Sequence, residues 1–194
     1  MIQVILGKRG SGKSTLSKEL LLRTGGRVIY LSPVEKLRAD YTVWKTSEIQ
    51  GIMKNLKKGE IALIRRADLL TAEYLAASAI AYNEPEKGKF TLVIDEMERY
   101  AKSQHLLDII HYGRHFHIEL IANSRRYTDL PRLLTSQADY LYIFRTVEPR
   151  DLQYVAEYAG TKARDIVQKL EKFEYYVHPT EDIRQTKRIL ELDI

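Results

Sequence analysis

No cysteine occurs among the 194 residues. Disulfides and zinc–thiolate centres are therefore excluded, and the composition fits a reducing compartment. No apolar run approaches the roughly 20 residues that a membrane-spanning helix needs. Nothing at the N-terminus reads as a signal peptide, because a glycine-rich loop begins at Gly7. Glutamine is scarce while charged residues reach 29%, a balance shared by ion-pair-rich thermophilic proteins. No repeat, low-complexity tract or clear domain boundary interrupts the chain.

What is present suits one globular domain over residues 1–194. Its length suffices for a sizeable core, and 44% hydrophobic residues argue against disorder. The formal net charge is +5. An ordinary nucleotide enzyme can carry that charge, so it tilts toward a polyanionic partner without identifying one. Two basic groups stand out: Lys54, Lys57, Lys58, Arg65 and Arg66, then Arg125, Arg126 and Arg132. Each is either a phosphate-contacting patch or a solvated face.

Apolar runs alternate with helical patterns. This predicts an α/β fold with a mainly parallel central sheet flanked by helices on both faces. Strands are expected at Ile2–Leu6, Val28–Leu31, Ile61–Ile64, Phe90–Ile94, Ile118–Ala122 and Tyr140–Phe144. Helices are expected at Lys13–Arg23, Ser47–Lys57, Thr71–Tyr82, Glu98–Tyr112, Leu130–Ser136 and Pro149–Ala159. Ser47 and Gln50 have the spacing of a capping box. Ser32-Pro33 and Glu84 to Gly88 read as loops. Residues 1–145 would form a nucleotide-binding core. Residues 146–194 would add helices and a further strand at Phe173–Val177.

The most specific motif is Gly7 to Ser14, which fits G-x-x-x-x-G-K-[ST] between an apolar strand and an amphipathic helix. Glycines let such a loop curl so that backbone N–H groups point at a phosphate, and the following helix adds its positive end. Gly7, Lys8, Arg9, Gly10, Ser11, Gly12, Lys13, Ser14 and Thr15 are the candidate triphosphate cradle. Lys13 would reach the β- and γ-phosphates, and Ser14 would ligate Mg²⁺. Lys8 and Arg9 either touch phosphate or point to solvent.

Phe90 to Ile94 is a buried-strand pattern that ends in Asp95 and Glu96. Two acids there are costly unless they meet a cation or water. Beside a phosphate loop they have roles, Asp95 holding Mg²⁺ and Glu96 activating water as general base. The alternative is an acidic N-cap. Glu98 is expected to be exposed. The spacing fits an inserted strand between the two motifs, as in RecA-like ATPases. At the end of the Ile118 strand, Asn123 or Ser124 either senses the γ-phosphate or makes ordinary turn chemistry.

Gly113-Arg114-His-Phe-His-Ile-Glu-Leu-Ile-Ala-Asn-Ser-Arg125, followed by Asp129-Leu130-Pro131, resembles the FtsK/HerA superfamily of DNA-pumping P-loop ATPases. With the two nucleotide motifs, the resemblance spans most of the first 145 residues. It departs at Ser124, where those relatives usually have Gln, and at Arg126, where they often have Pro. Asn123 then becomes the sensor candidate. Arg114 and Arg125 match family arginines. The resemblance implies that an arginine of a neighbouring subunit reaches the γ-phosphate, with Arg114 the first choice. A local salt bridge from Arg114 to Asp108 or Glu119 is the alternative. The small size is similar to viral genome-packaging members. The implied activity is ATP- and Mg²⁺-dependent translocation of double-stranded DNA by a homo-oligomer, most simply a hexameric ring. The implied location is the cytoplasm, that of the host if the gene is viral, without a membrane partner.

Two other readings stay open: a nucleotide or small-molecule kinase, and a slow ATP-dependent assembly switch. The guanine-reading Asn-Lys-x-Asp is absent, which leans toward ATP. His111, His115 and His117 are either a metal cluster or solvated imidazoles. Tyr140, Tyr142, Tyr154, Tyr158, Tyr175 and Tyr176 read as packing or subunit-contact residues.

Overall fold

The computed structural model describes residues 1–186. In chain order the strands are β1 (Ile2–Leu6), β2 (Arg27–Leu31), β3 (Tyr41–Val43), β4 (Ile61–Ile64), β5 (Phe90–Ile94), β6 (Ile118–Ser124), β7 (Tyr140–Phe144), β8 (Glu174–His178) and β9 (Asp182–Gln185). The helices are α1 (Lys13–Thr24), α2 (Ile49–Asn55), α3 (Leu69–Tyr82), α4 (Gln104–Tyr112), α5 (Arg132–Ser136), α6 (Pro149–Ala159) and α7 (Thr161–Val167). All strands join one sheet in the order β3-β4-β2-β5-β6-β1-β7-β8-β9. Pairing is parallel from β3 to β7. The last two strands add antiparallel.

The central strands are continuous apolar runs because both faces are covered. The pleat sends alternate residues to opposite layers. Ile29, Leu31, Leu92, Ile94, Leu120 and Ala122 pack in one core with Leu75 and Ala76 of α3 and Leu106 and Ile109 of α4. Val28, Tyr30, Val93 and Ile121 face the other way, onto Leu16, Leu20 and Leu21 of α1. A one-residue slip would exchange the two layers, so this alternation fixes the register. The result is the RecA-like P-loop arrangement, with β6 inserted between β1 and β5.

Several expectations are corrected. The expected helix Glu98–Tyr112 is broken: Met97–Tyr100 forms a 3-10 turn, and α4 begins only after Ser103. The Ser103 hydroxyl accepts from the N–H of Leu106 at 3.2 Å, which makes it the N-cap. Ser47 and Gln50 form no capping box. Instead, Glu48 Oε2 accepts from the N–H groups of Trp44 and Lys45, and the Gln50 amide donates to the Tyr82 hydroxyl. The first basic group is divided by the fold. Lys57 and Lys58 precede β4 and Arg65 and Arg66 follow it, so they sit at opposite ends of that strand. Strands β3 and β9 and helix α7 were not expected. Among the described residues no helix is long and apolar enough to cross a membrane.

Candidate active site

Open parallel sheets carry ligands at the carboxyl ends of their strands, and the predicted motifs gather there. The loop after β1 curls through two left-handed glycines, Gly10 at φ 78° and Gly12 at φ 109°, conformations that side-chain-bearing residues rarely adopt. At its start, the Gly7 N–H donates to the Ser124 carbonyl, tying the loop to β6. A methyl group on Gly7 would lie 2.7 Å from Ser11 Oγ and 2.8 Å from Phe144 Cβ. The Lys13 ammonium is folded inside this curl and donates to the carbonyls of Gly7 (2.6 Å) and Lys8 (2.9 Å). Burial is the main cause of its lowered pKa, about 8. Arg125 lowers it further, while Asp95 and Glu98 oppose the fall. An anionic ligand beside it would restore the charge.

A cleft of about 510 Å³ opens in front of the loop. Its wall includes Arg9, Lys13, Ser14, Thr15, Asp95 and Arg125. Ile94 pairs with Ala122, so Asp95, one residue on, comes level with Asn123. Asp95 is 8% exposed, and its carboxylate accepts from the Ser32 hydroxyl at 3.0 Å. Burial raises its pKa, and Ser32 pulls the other way. A buried carboxylate and the Ser14 hydroxyl on one cleft are hard oxygen donors, which fit Mg²⁺. Bound there, Mg²⁺ would offset the burial of Asp95 and neutralise phosphate charge.

Glu96 stands at φ 53°, an unusual conformation that turns the chain sharply after β5. Its N–H donates to Asp95 Oδ1 at 3.1 Å. Its carboxylate is ion-paired with Arg125 and, at 3.2 Å, with Arg99. Arg125 therefore touches Glu96 while also lining the cleft. Glu98, expected to be exposed, is half-buried instead. Its Oε1 accepts from the Arg125 N–H at 3.4 Å, and its Oε2 is buried without a hydrogen-bond partner.

Asn123 lies behind the cleft rather than on its wall. It is fully buried, and its Oδ1 accepts from the Ser17 hydroxyl at 2.8 Å. Ser124 makes turn chemistry: its hydroxyl donates to the Arg126 carbonyl at 2.7 Å. Lys8 and Ser11 face neighbouring cavities. Arg114 sits far from the loop, near Met1 and Glu119 at the amino ends of β1 and β6. Its partner is Asp139, at 2.7 Å, not Asp108 or Glu119. Its side chain is 77% exposed. The histidines 111, 115 and 117 are all exposed. Sequence reasoning missed Ser32 and Ser17, because isolated serines carry no motif.

Solved structures share this architecture. B204, the genome-packaging NTPase of Sulfolobus turreted icosahedral virus 2, in complex with ATP-gammaS, superposes with a TM-score of 0.80. It is 22% identical, with 97% of each chain covered. B204, the DNA-packaging ATPase of Sulfolobus turreted icosahedral virus, gives 0.74 at 25% identity, again over 97% of each chain. VirB4 of Thermoanaerobacter pseudethanolicus gives 0.66 at 13% identity, covering 95% of this chain and 88% of that one. These neighbours agree with the FtsK/HerA resemblance carried by Gly113 to Arg125. No curated protein sequence matches the chain. The family described as poxvirus A32 protein matches residues 2–181, nearly the whole length, and the chain belongs to that family.

Proposed function

We propose that this chain is an Mg²⁺-dependent ATPase that moves double-stranded DNA through a homo-oligomeric ring, most simply a hexamer, to package a viral genome. The observation that carries this reading is the convergence of Lys13, Ser14, Asp95 and Arg125 on one cleft, with Glu96 held by Arg125 at its edge. The likeness to B204, a genome-packaging NTPase seen with ATP-gammaS and a DNA-packaging ATPase in the related virus, supports the same reading.

In this mechanism the curled amides and Lys13 grip the β- and γ-phosphates, and Ser14 and Asp95 hold the metal. The γ-phosphate competes for Arg125, whose cation then balances transition-state charge. Glu96, released from that arginine, takes the proton of the attacking water. Asn123 acts from behind, holding Ser17 and the Lys13 end of α1. Arg114, exposed at the opposite end of the sheet, acts on the γ-phosphate of a neighbouring subunit. Basic side chains contact the DNA backbone, which makes binding salt-dependent and nearly indifferent to sequence.

Inorganic phosphate release from ATP, with and without duplex DNA at low salt, tests the proposal. Stimulation by DNA is expected. Failure of DNA both to bind and to stimulate would refute translocation. A phosphorylated acceptor without free phosphate would make the chain a kinase.

A further inference from the structure

A second cavity, of about 320 Å³, adjoins the phosphate cleft. Arg9, Gly10 and Phe173 line both. Phe173 immediately precedes β8 and stands at φ 71°, where an aromatic residue is rarely found. Phe173 is 41% exposed, although Tyr175, Tyr176 and Val177 just beyond it are buried. The core therefore does not account for this side chain. The Lys172 ammonium lies 4.9 Å from the ring centroid. The Phe173 carbonyl accepts from the N–H of Thr186 at 3.1 Å. Thr186 Oγ1 in turn lies 3.1 Å from where a Cβ on Gly12 would stand. The β8–β9 hairpin thus braces the Phe173 backbone against the phosphate loop itself. Strain held in this way concentrates at ligand clamps.

We propose that Phe173 is the stacking platform for the base of the bound nucleoside triphosphate. The inference rests on the phosphate-cleft reading. With the phosphates in the Lys13 loop, sugar and base extend toward the wall that both cavities share, and Phe173 is the aromatic surface there. Stacking uses a π-face that every base possesses. The platform therefore adds affinity without selecting adenine over guanine.

Calorimetric titration of the full chain with ATP, GTP and inorganic tripolyphosphate tests this. Phe173→Asn removes the ring and keeps a residue that tolerates positive φ; Phe173→Tyr keeps a ring. The asparagine variant should bind ATP and GTP about 5- to 150-fold more weakly and tripolyphosphate as the wild type does. The tyrosine variant should stay close to wild type. Unchanged ATP affinity in Phe173→Asn would overturn the platform, as would an equal loss for tripolyphosphate, which would make the ring a brace for the loop. Failure of tripolyphosphate to bind even the wild type would sink the cleft reading, and the platform with it.

Discussion

Replacing Lys13 by methionine should separate nucleotide binding from stability. Lys13 is 9% exposed, and burial above all lowers its pKa from the ordinary 10.5 to about 8. A fall of that size is worth about 3 kcal/mol against the charged form at neutral pH. Methionine has a similar stem and no charge to desolvate. It forfeits the hydrogen bonds to the Gly7 and Lys8 carbonyls, which return roughly 1–2 kcal/mol. The nucleotide-free variant should therefore be more stable at pH 7 by about 1–2 kcal/mol, a rise in Tm of roughly 2–8 °C. The pH dependence has a definite sign. Folded Lys13 releases its proton near pH 8 and unfolded Lys13 near 10.5, so between these values the unfolded state binds more protons. Wild-type stability then rises with pH across that window. Methionine has no such gain, so its advantage is full below about pH 8, vanishes inside the window and gives way near pH 10.5 to a deficit of about 1–2 kcal/mol from the lost hydrogen bonds. Urea unfolding of both proteins at pH 7 and pH 10, without nucleotide, reads the difference directly. A less stable variant at pH 7, or a difference that ignores pH, would refute the reasoning, whereas loss of ATP binding is expected in either case.

Other outcomes follow from the same geometry. Tyr127 is fully buried, and its hydroxyl lies 2.9 Å from the Phe144 carbonyl and 3.3 Å from that of Leu6. Tyr127→Phe should cost about 1–3 kcal/mol in chemical unfolding, because those carbonyls lose their donor beneath the phosphate loop. Gly12→Ala should weaken ATP binding at least several-fold in titration, since φ 109° strains any side chain and the methyl would press on Thr186. Arg114→Ala should leave stability within about 1 kcal/mol, as an exposed pair contributes little. Its ATPase should nevertheless be lost, and mixing it with Glu96→Gln should restore activity if the two residues act across subunits.

The sheet was legible because its strands are short, uninterrupted apolar runs bounded by loop residues, and all seven predicted strands are present, the last as β8. Strand β3 has only three residues, too few for a pattern. Strand β9 is exposed throughout, so no alternation marks it. The helix break before Ser103 was hidden because the apolar periodicity continues through Met97 and Tyr100, and only the backbone turn at Glu96 reveals it. The phosphate loop and Asp95 could be placed from sequence because their chemistry is carried by local spacing. The Arg125–Glu96 pair, the Arg114–Asp139 pair and the Ser17–Asn123 bond join residues 25 or more positions apart. Such partners exist only once the strands are in register. Glu98 was misjudged for that reason: a helical pattern put it at the surface, while the 3-10 turn brings it against the Arg125 backbone.

Two carboxylates stand beside Arg125, and only one is assigned to hydrolysis. Phosphate release by Glu96→Gln and by Glu98→Gln, with ATP binding measured on the same samples, tests that assignment most directly. Glu96→Gln is expected to bind ATP like the wild type and to hydrolyse it at least about 100-fold more slowly, whereas Glu98→Gln keeps most of its activity. Near-normal hydrolysis by Glu96→Gln, or a block that appears only in Glu98→Gln, would contradict the mechanism.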